Sequence, residues 1–340
     1  MVTINDVAKK AGVSKSSVSR VLNGNYEYMS EDLKNRIISV MNELNYSPNL
    51  LAQSLKKKKT GVIGIILSDI SNPFWSEVLK GVQMECSKNG YGLMVNNSDE
   101  DSDEEKENVT LLRSKQVDGM IINTSGKNTD MYQGLLEDGY PFVLLDRLLN
   151  NLKADTVVVD NVLGANRAVS YLIEQGHERI AILSYPPENK SPREDRLYGY
   201  RQTLVDHGIP IDEDLIKICE QEQGKGVEAT VELLSMANKP TAIFSTHAML
   251  NLEILTGVEE CKLQVPNDVS VLGYDDFAWV PLLNPPLTTV GQPAFELGAK
   301  AAKLLIERIE KQRDDEGIVI QLDPQLIVRK SCSVPSLKTI

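Results

Sequence analysis

The feature that most limits how this chain can fold is an alternation that begins at Gly61. Short apolar runs at 62–67, 93–96, 119–123 and 142–146 are each separated by a stretch long enough for a crossover helix. After a bridge near Thr156 to Asp160 the series resumes at 179–183, 215–219, 242–245 and 269–274. Runs this short, without strict alternation, suit strands covered on both faces, so the pattern predicts an α/β fold with parallel, doubly wound sheets. Two sets of strands suggest two similar subdomains.

The first 56 residues read differently. Val7, Ala8 and Ala11 repeat at helical spacing, Gly12 breaks the helix, Val13 plugs the corner, and Ser14 is placed to cap a second helix burying Val18, Val21 and Leu22. Two short helices about a glycine turn make a helix-turn-helix. Such a motif lays its second helix in the major groove, where Lys15, Ser16 and Arg20 supply donors suited to base edges. A third helix is expected from Ser30, with Leu33, Ile37, Val40 and Leu44 on one stripe. Pro48 then opens a segment to Leu55 that could form about two turns, either a helix that folds only on DNA or a plain linker.

Charge divides the chain at the same place. Residues 1–60 hold 10 Lys and Arg against 5 Asp and Glu, a net of +5, and the remaining residues hold 26 against 43, a net of −17. Polyanion binding is therefore expected of the head alone, with the acidic body repelling nonspecific DNA. No apolar run reaches membrane-spanning length and no signal-peptide core opens the chain, which predicts a cytoplasmic protein without membrane contact. Cys86, Cys219, Cys261 and Cys332 lack metal or redox spacing and are expected as reduced, mostly buried thiols. No nucleophile elbow, phosphate-cradling glycine loop, metal-binding histidine pair or cofactor motif occurs, so neither catalysis nor a metal or cofactor is expected. The acidic run at 99–108 reads as the charged start of a surface helix.

The head, with Asp6-Val7-Ala8, Ala11-Gly12-Val13-Ser14 and Ser17-Val18-Ser19-Arg20-Val21-Leu22-Asn23, followed by Ser47-Pro48, Ala52 and Ser54-Leu55, resembles the lactose repressor (LacI/GalR) family of bacterial transcription regulators. The resemblance spans nearly the whole chain. It implies a DNA-binding domain at 1–46, a hinge helix and linker at 47–60, and an effector-binding and dimerisation body at 61–340. Within the body it implies the periplasmic sugar-binding-protein fold, one subdomain taking about 61–160 with 291–318 and the other about 161–290 with 319–334. The chain would cross between them near 160–162, 289–292 and 318–323. On DNA, Leu55 would wedge into the minor groove of a palindromic operator, with Ala52 beside it and Lys56 at the backbone or groove edge. Thr3, Ser14, Ser19 and Asn23 complete the expected DNA-contacting set with Lys15, Ser16 and Arg20.

Ligands of open α/β sheets lie beyond the carboxyl ends of strands. There the resemblance places Phe74 and Trp75 as pocket rings, Arg196 of Arg196-Leu197-Tyr198-Gly199-Tyr200 as the chief effector contact, Asp275 of Gly273-Tyr274-Asp275 as acceptor for ligand hydroxyls, and Gln292 on the cleft floor. Lys190 and Arg193 are either further polar contacts or solvated loop charges. His247 stands where many relatives have an Asn-Asp pair, and Gln221 where some stack a ring. Arg147, with Asp160, sits at a cleft-side strand end or stabilises the subdomain connection. Three cations near one cleft suit a sugar acid, whose carboxylate pairs with guanidinium groups, as does a resemblance to uronate-responsive members of the family. A neutral sugar, a phosphorylated sugar or a protein corepressor is the alternative. The tail from Ser333 lacks leucine heptads, which favours a homodimer.

Overall fold

In the computed structural model the residues described are 2–22, 24–27, 29–46, 59–311, 313 and 315–335. They fall into two compact units, residues 1–61 and 62–340.

The head holds α1 (Ile4–Ala11), α2 (Lys15–Leu22) and α3 (Glu31–Glu43). Thr3 caps α1 through a capping box with Asp6, and Gly12, at φ +65°, takes the left-handed conformation that ends it. Ser30 caps α3 by accepting from the Leu33 amide. Val7, Ala8, Ala11, Val18, Val21, Ile37 and Val40 close one buried core, with Leu33 and Leu44 packed against it. Each helix is short enough to be marginal alone, so this shared core holds the unit together.

In the body, β1 (Val62–Leu67), α4 (Pro73–Lys88), β2 (Gly92–Asn97), α5 (Ser102–Ser114), β3 (Gly119–Ile122), α6 (Thr129–Glu137), β4 (Phe142–Leu145) and β5 (Thr156–Val159) build the first subdomain. The second follows with α7 (Asn161–Glu174), β6 (Ile180–Ser184), α8 (Ser191–Asp206), β7 (Ile216–Ile218), α9 (Lys225–Leu234), β8 (Ala242–Ser245), α10 (Ala248–Glu260), β9 (Ser270–Tyr274) and β10 (Thr288–Gly291). The chain returns through α11 (Ala294–Ile309) and β11 (Val319–Leu322) to the first, and ends with β12 (Gln325–Ile327) in the second.

The strand orders are β11-β5-β4-β3-β1-β2 and β12-β10-β9-β8-β6-β7, the same arrangement twice. The first sheet is parallel throughout. In the second, β12 alone runs antiparallel, against β10. Each sheet carries apolar clusters on both faces, which is why its strands read as unbroken apolar runs. α4 and α11 pack against one another in the first subdomain so closely that a Cβ on Gly81 would strike the Phe295 carbonyl oxygen, and one on Gly298 that of Val78.

One expected boundary moves. Residues 319–322 pair in parallel with β5 and therefore belong to the first subdomain, so the last crossing falls at 323–324, after the expected break at 318. The half-exposed alternation of this edge strand gives it no apolar run to be read by. The acidic run also differs from expectation. Asp101 caps α5 as a surface helix start would, but Glu100 and Glu105 turn inward. Glu105 does so because it shares the buried face of α5 with Val109 and Leu112, where Thr124, Ser125, Asn128 and Tyr132 present four donors to its carboxylate. The four cysteines are free thiols, with Cys86 and Cys219 buried and Cys261 and Cys332 half-buried.

Candidate functional site

The carboxyl ends of both sheets face one polar cleft, as strand polarity requires. After β1 come Ser68, Asp69 and Asn72, with Phe74 and Trp75 opening α4; after β2 comes Glu100; after β4, Asp146 and Arg147. The second subdomain adds Tyr185 after β6, Lys190, Arg193 and Arg196 around the start of α8, and Gln221 after β7. Thr246 and His247 follow β8, Asp275 follows β9 and Gln292 follows β10. All of the expected cleft residues, Phe74, Trp75, Arg147, Lys190, Arg193, Arg196, Gln221, His247, Asp275 and Gln292, line this single cavity.

Phe74 and Trp75 meet edge to face at 5.0 Å between ring centroids and are both nearly buried, so one side of each ring packs on the first core. Arg196 is held at two of its nitrogens and over one face. Its Nε donates to Asn161 Oδ1 at 2.8 Å, Nη1 donates to the Thr246 carbonyl at 2.7 Å, and the guanidinium lies 3.7 Å over the Tyr274 ring. A planar cation stacked and hydrogen-bonded in this way keeps one orientation. Gln292 Nε2 donates to Asp275 Oδ1 at 2.6 Å, while Gln292 Oε1 is buried with no hydrogen-bond partner among the described residues. An acceptor in that position suits a ligand hydroxyl. Arg193 Nη2 donates to Gln221 Oε1 at 3.1 Å.

The cations do not face the cleft unopposed. Arg147 makes a bidentate pair with Glu100 at 2.6 and 2.9 Å, and Lys190 and Arg193 lie 3.3 and 3.6 Å from the same carboxylate. Burial pushes the Glu100 carboxyl up, but Arg147, Lys190 and Arg193 outweigh it and hold it at about 2. Burial raises Asp146 and Asp275 above the ordinary carboxylate range, against the pull of Arg196 on both and of Arg147 on Asp146. The two aspartates occupy matching positions in the repeat, each just after the fourth strand of its subdomain and each with positive φ, +67° and +70°.

His247 caps α10, its Nδ1 accepting from the Met249 amide at 3.2 Å, and its ring meets Tyr185 edge to face. Burial, reinforced by Arg193 and Arg196, pushes this imidazole down to about 3. A folded-state value below the unfolded one makes its stabilising contribution complete above about pH 6.5 and lost as pH falls from there toward 3. Between about pH 7 and pH 5 this costs about 1–2 kcal/mol after discounting for the ring's part exposure. Urea unfolding at both pH values should show wild type losing that much more than His247→Gln; parallel losses would refute it.

Asp160 caps α7 by accepting from the Leu163 amide at 2.8 Å, at the first passage between the subdomains, and is not among the residues lining the cleft. The cleft residues not read from sequence include the carboxylates Asp69, Glu100 and Asp146 and the polar Asn72, Tyr185 and Thr246. For Asp146 a signal existed, since Phe142–Asp146 and Val271–Asp275 are each a mainly apolar strand run that ends in aspartate.

In the head, Lys15, Ser16 and Arg20 are exposed along α2. The Ser14 hydroxyl bonds the Ser17 amide at 3.1 Å and the Ser16 hydroxyl at 2.7 Å, so it caps this helix as expected. The Thr3 hydroxyl is committed to Asp6 at 2.7 Å, and Ser19 is half-buried. Asn23, Ala52, Leu55 and Lys56 lie outside the described residues, as does the expected hinge helix.

A basic helix-turn-helix unit and a two-sheet body with a polar cleft at its strand ends, carried on one chain, define a ligand-responsive DNA-binding regulator. Residues 3–49 match the family described as bacterial regulatory proteins, lacI family, and residues 60–328 match periplasmic binding proteins and sugar binding domain of LacI family. The chain belongs to the LacI family of bacterial regulatory proteins: it is a DNA-binding transcriptional regulator and not an enzyme. It is 40% identical to the probable HTH-type transcriptional regulator EndR of Paenibacillus polymyxa, over 97% of this chain and 98% of that one. It is 34% identical to the HTH-type transcriptional regulator KdgR of Bacillus subtilis (strain 168), over 97% of each. Among solved structures, a lac repressor dimer bound to operator and the anti-inducer ONPF superposes with a TM-score of 0.87 at 27% identity, covering 98% of this chain and 99% of that one. A transcriptional regulator CelR–cellobiose complex superposes at 0.74 with 30% identity, over 97% and 100%. No helix among the described residues is long and apolar enough to cross a membrane.

Proposed function

We propose that this regulator is a homodimeric repressor of carbohydrate genes. It binds a palindromic operator through Lys15, Ser16 and Arg20, and its operator affinity is set by a sugar-like effector in the cleft. The observation that carries the reading is the gathering of Arg196, held by Asn161 and the Thr246 carbonyl, with the hydrogen-bonded Asp275 and Gln292 along one cleft, fixed donors and acceptors beside the unpartnered Gln292 Oε1. Such a set matches the alternating hydroxyls of a sugar, and Trp75 and Phe74 offer apolar surface to its ring.

Within the sugars, an acid is the class we favour. Arg147, Lys190 and Arg193 gather where a ligand carboxylate would gain bidentate pairing. Relatives support a sugar of some kind: one solved homologue is a cellobiose complex, and a ribose operon repressor of Escherichia coli (strain K12) is 34% identical over 97% of this chain. Rotating one subdomain against the other then alters operator affinity, a coupling typically of about 1–3 kcal/mol.

The test is a titration of the purified protein, read by Trp75 fluorescence and by operator gel shift, with galactose, galactose 1-phosphate and galacturonate in turn. Saturable binding of galacturonate that changes operator affinity, with at least a tenfold weaker response to galactose, is expected. A response to galactose 1-phosphate alone, or to none of them, counts against the sugar-acid reading.

A further inference from the structure

Glu100 stands in an unusual place. It and Asp99 are consecutive non-glycine residues with positive φ, +61° and +48°, a conformation that L side chains resist. The turn persists because the Glu100 amide is fastened to the Ser68 carbonyl at 2.9 Å and the Ser98 amide to that of Leu67 at 2.8 Å, tying it to the end of β1. Its effect is to aim one carboxylate across the cleft.

That carboxylate holds Arg147 of its own subdomain at 2.6 Å, and Lys190 and Arg193 of the other at 3.3 and 3.6 Å. The four side chains are between 7% and 20% exposed, so their attraction is only weakly screened by solvent. Neighbouring contacts land on the same short stretch: the Ser191 hydroxyl accepts from the Leu148 amide at 2.9 Å, and a Cβ on Gly126 would collide with the Asn189 carbonyl oxygen. Residues 189–193 are thus gripped by the first subdomain at three neighbouring points.

The cavity that remains is ≈ 60 Å³. At roughly 10–15 Å³ per water this is room for a handful of waters, well short of a hexose. A sugar therefore enters only when the lining gives way, and a side chain that ties the two subdomains together decides how readily it does. The charges say which one: Arg147, Lys190, Arg193 and Arg196 are matched by Asp69, Glu100, Asp146 and Asp275, and Glu100 alone is ion-paired with three of the cations.

We propose that Glu100 is a built-in latch of the cleft. Its carboxylate draws Lys190 and Arg193 across onto the first subdomain, and an effector carboxylate enters by taking those cations over as Glu100 turns outward. The second half rests on the sugar-acid reading above; the first does not.

The experiment uses the full chain and reads the two halves separately. Without sugar, amide hydrogen exchange over residues 186–196 should be at least tenfold faster in Glu100→Gln than in wild type. Lys190→Met should accelerate it similarly, and the double variant should be no faster than either single one; the lysine variant also carries the test should Glu100→Gln fail to fold. Equal exchange in wild type and both single variants overturns the latch, whatever sugar binds. Galacturonate should then bind Glu100→Gln at least tenfold more tightly than wild type, with a clearly smaller gain for galactose, which profits from the loosened cleft but not from the freed cations. Faster exchange without that gain overturns the displacement step and leaves the latch standing, and equal gains for both sugars overturn displacement by a carboxylate.

Discussion

Arg196→Ala should weaken effector binding at least a hundredfold, about 2.7 kcal/mol or more, while the operator is still bound. The loss exceeds that of one contact because Arg196 does three jobs. It presents its free edge to the cleft, it keeps Asn161 and the Thr246 carbonyl satisfied, and it compensates the buried carboxylates of Asp146 and Asp275. Operator binding persists because the head closes its own core of Val7, Ala8, Val18, Val21 and Ile37. The body should also lose about 3–5 kcal/mol of stability near pH 7, the usual cost of leaving buried charge unpaired. Both aspartates already titrate above their unfolded values, and removing Arg196 raises them further. Protons then bind the folded state preferentially, so stability is recovered as pH falls toward those raised values. Urea unfolding near pH 7 and near pH 5.5 should show the deficit narrowing at the lower pH. A deficit that widens, or full effector response in the variant, would remove Arg196 from this role.

Glu105→Ala should cost a comparable amount, about 3–5 kcal/mol, far from any ligand contact. Glu105 is fully buried, and its carboxylate accepts from the Tyr132 hydroxyl at 2.5 Å, Asn128 Nδ2 at 3.0 Å, the Thr124 hydroxyl at 3.2 Å and, through a short bond, the Ser125 amide. Truncation strands all four donors. Burial and then Glu105 itself keep the Tyr132 phenol well above its ordinary value, so that phenol remains a donor throughout the working range. Glu105→Gln retains one acceptor but turns an amide donor toward other donors, and should fall between. The strand-end loop anchored in this way carries the Thr124 carbonyl that receives Arg147 Nη1 at 2.7 Å, so the variant should also loosen the cleft cation. Denaturant midpoints for the three proteins give the order directly; an alanine variant within about 1 kcal/mol of wild type would show that water satisfies these donors.

These two residues mark how far the sequence could be read. Arg196 stands in a motif, and its neighbours in the fold follow from strand polarity, so it was legible together with the strands from 62–67 to 270–274, each found within a residue or two of its place. Glu105 and Glu100 were not. Both sit in a run of acids whose simplest meaning is a solvated helix start, and Asp101 does cap such a helix. What turns Glu100 inward is a pair of left-handed backbone angles at Asp99 and Glu100, which residue type disfavours and only the hydrogen bonds to β1 secure. The net charge of the cleft was illegible for the same reason, because Lys190, Arg193 and Arg196 are local in sequence and the counter-ion Glu100 is not. β11 escaped for lack of an apolar run, and with it the position of the last crossing.

The chain passes between the subdomains after β5, after β10 and between β11 and β12. Each passage leaves an edge-side strand of one sheet for an element of the other half, so the three lie side by side like the pins of a door. A door on several pins swings about one line and resists both twist and slide. Whatever molecule fills the cleft, its shape is then reported as a single number, the angle of closure, so chemically different ligands can drive the same output once they set the same angle. Effector preference can therefore drift by replacing strand-end side chains, while the machinery that communicates occupancy stays as it is.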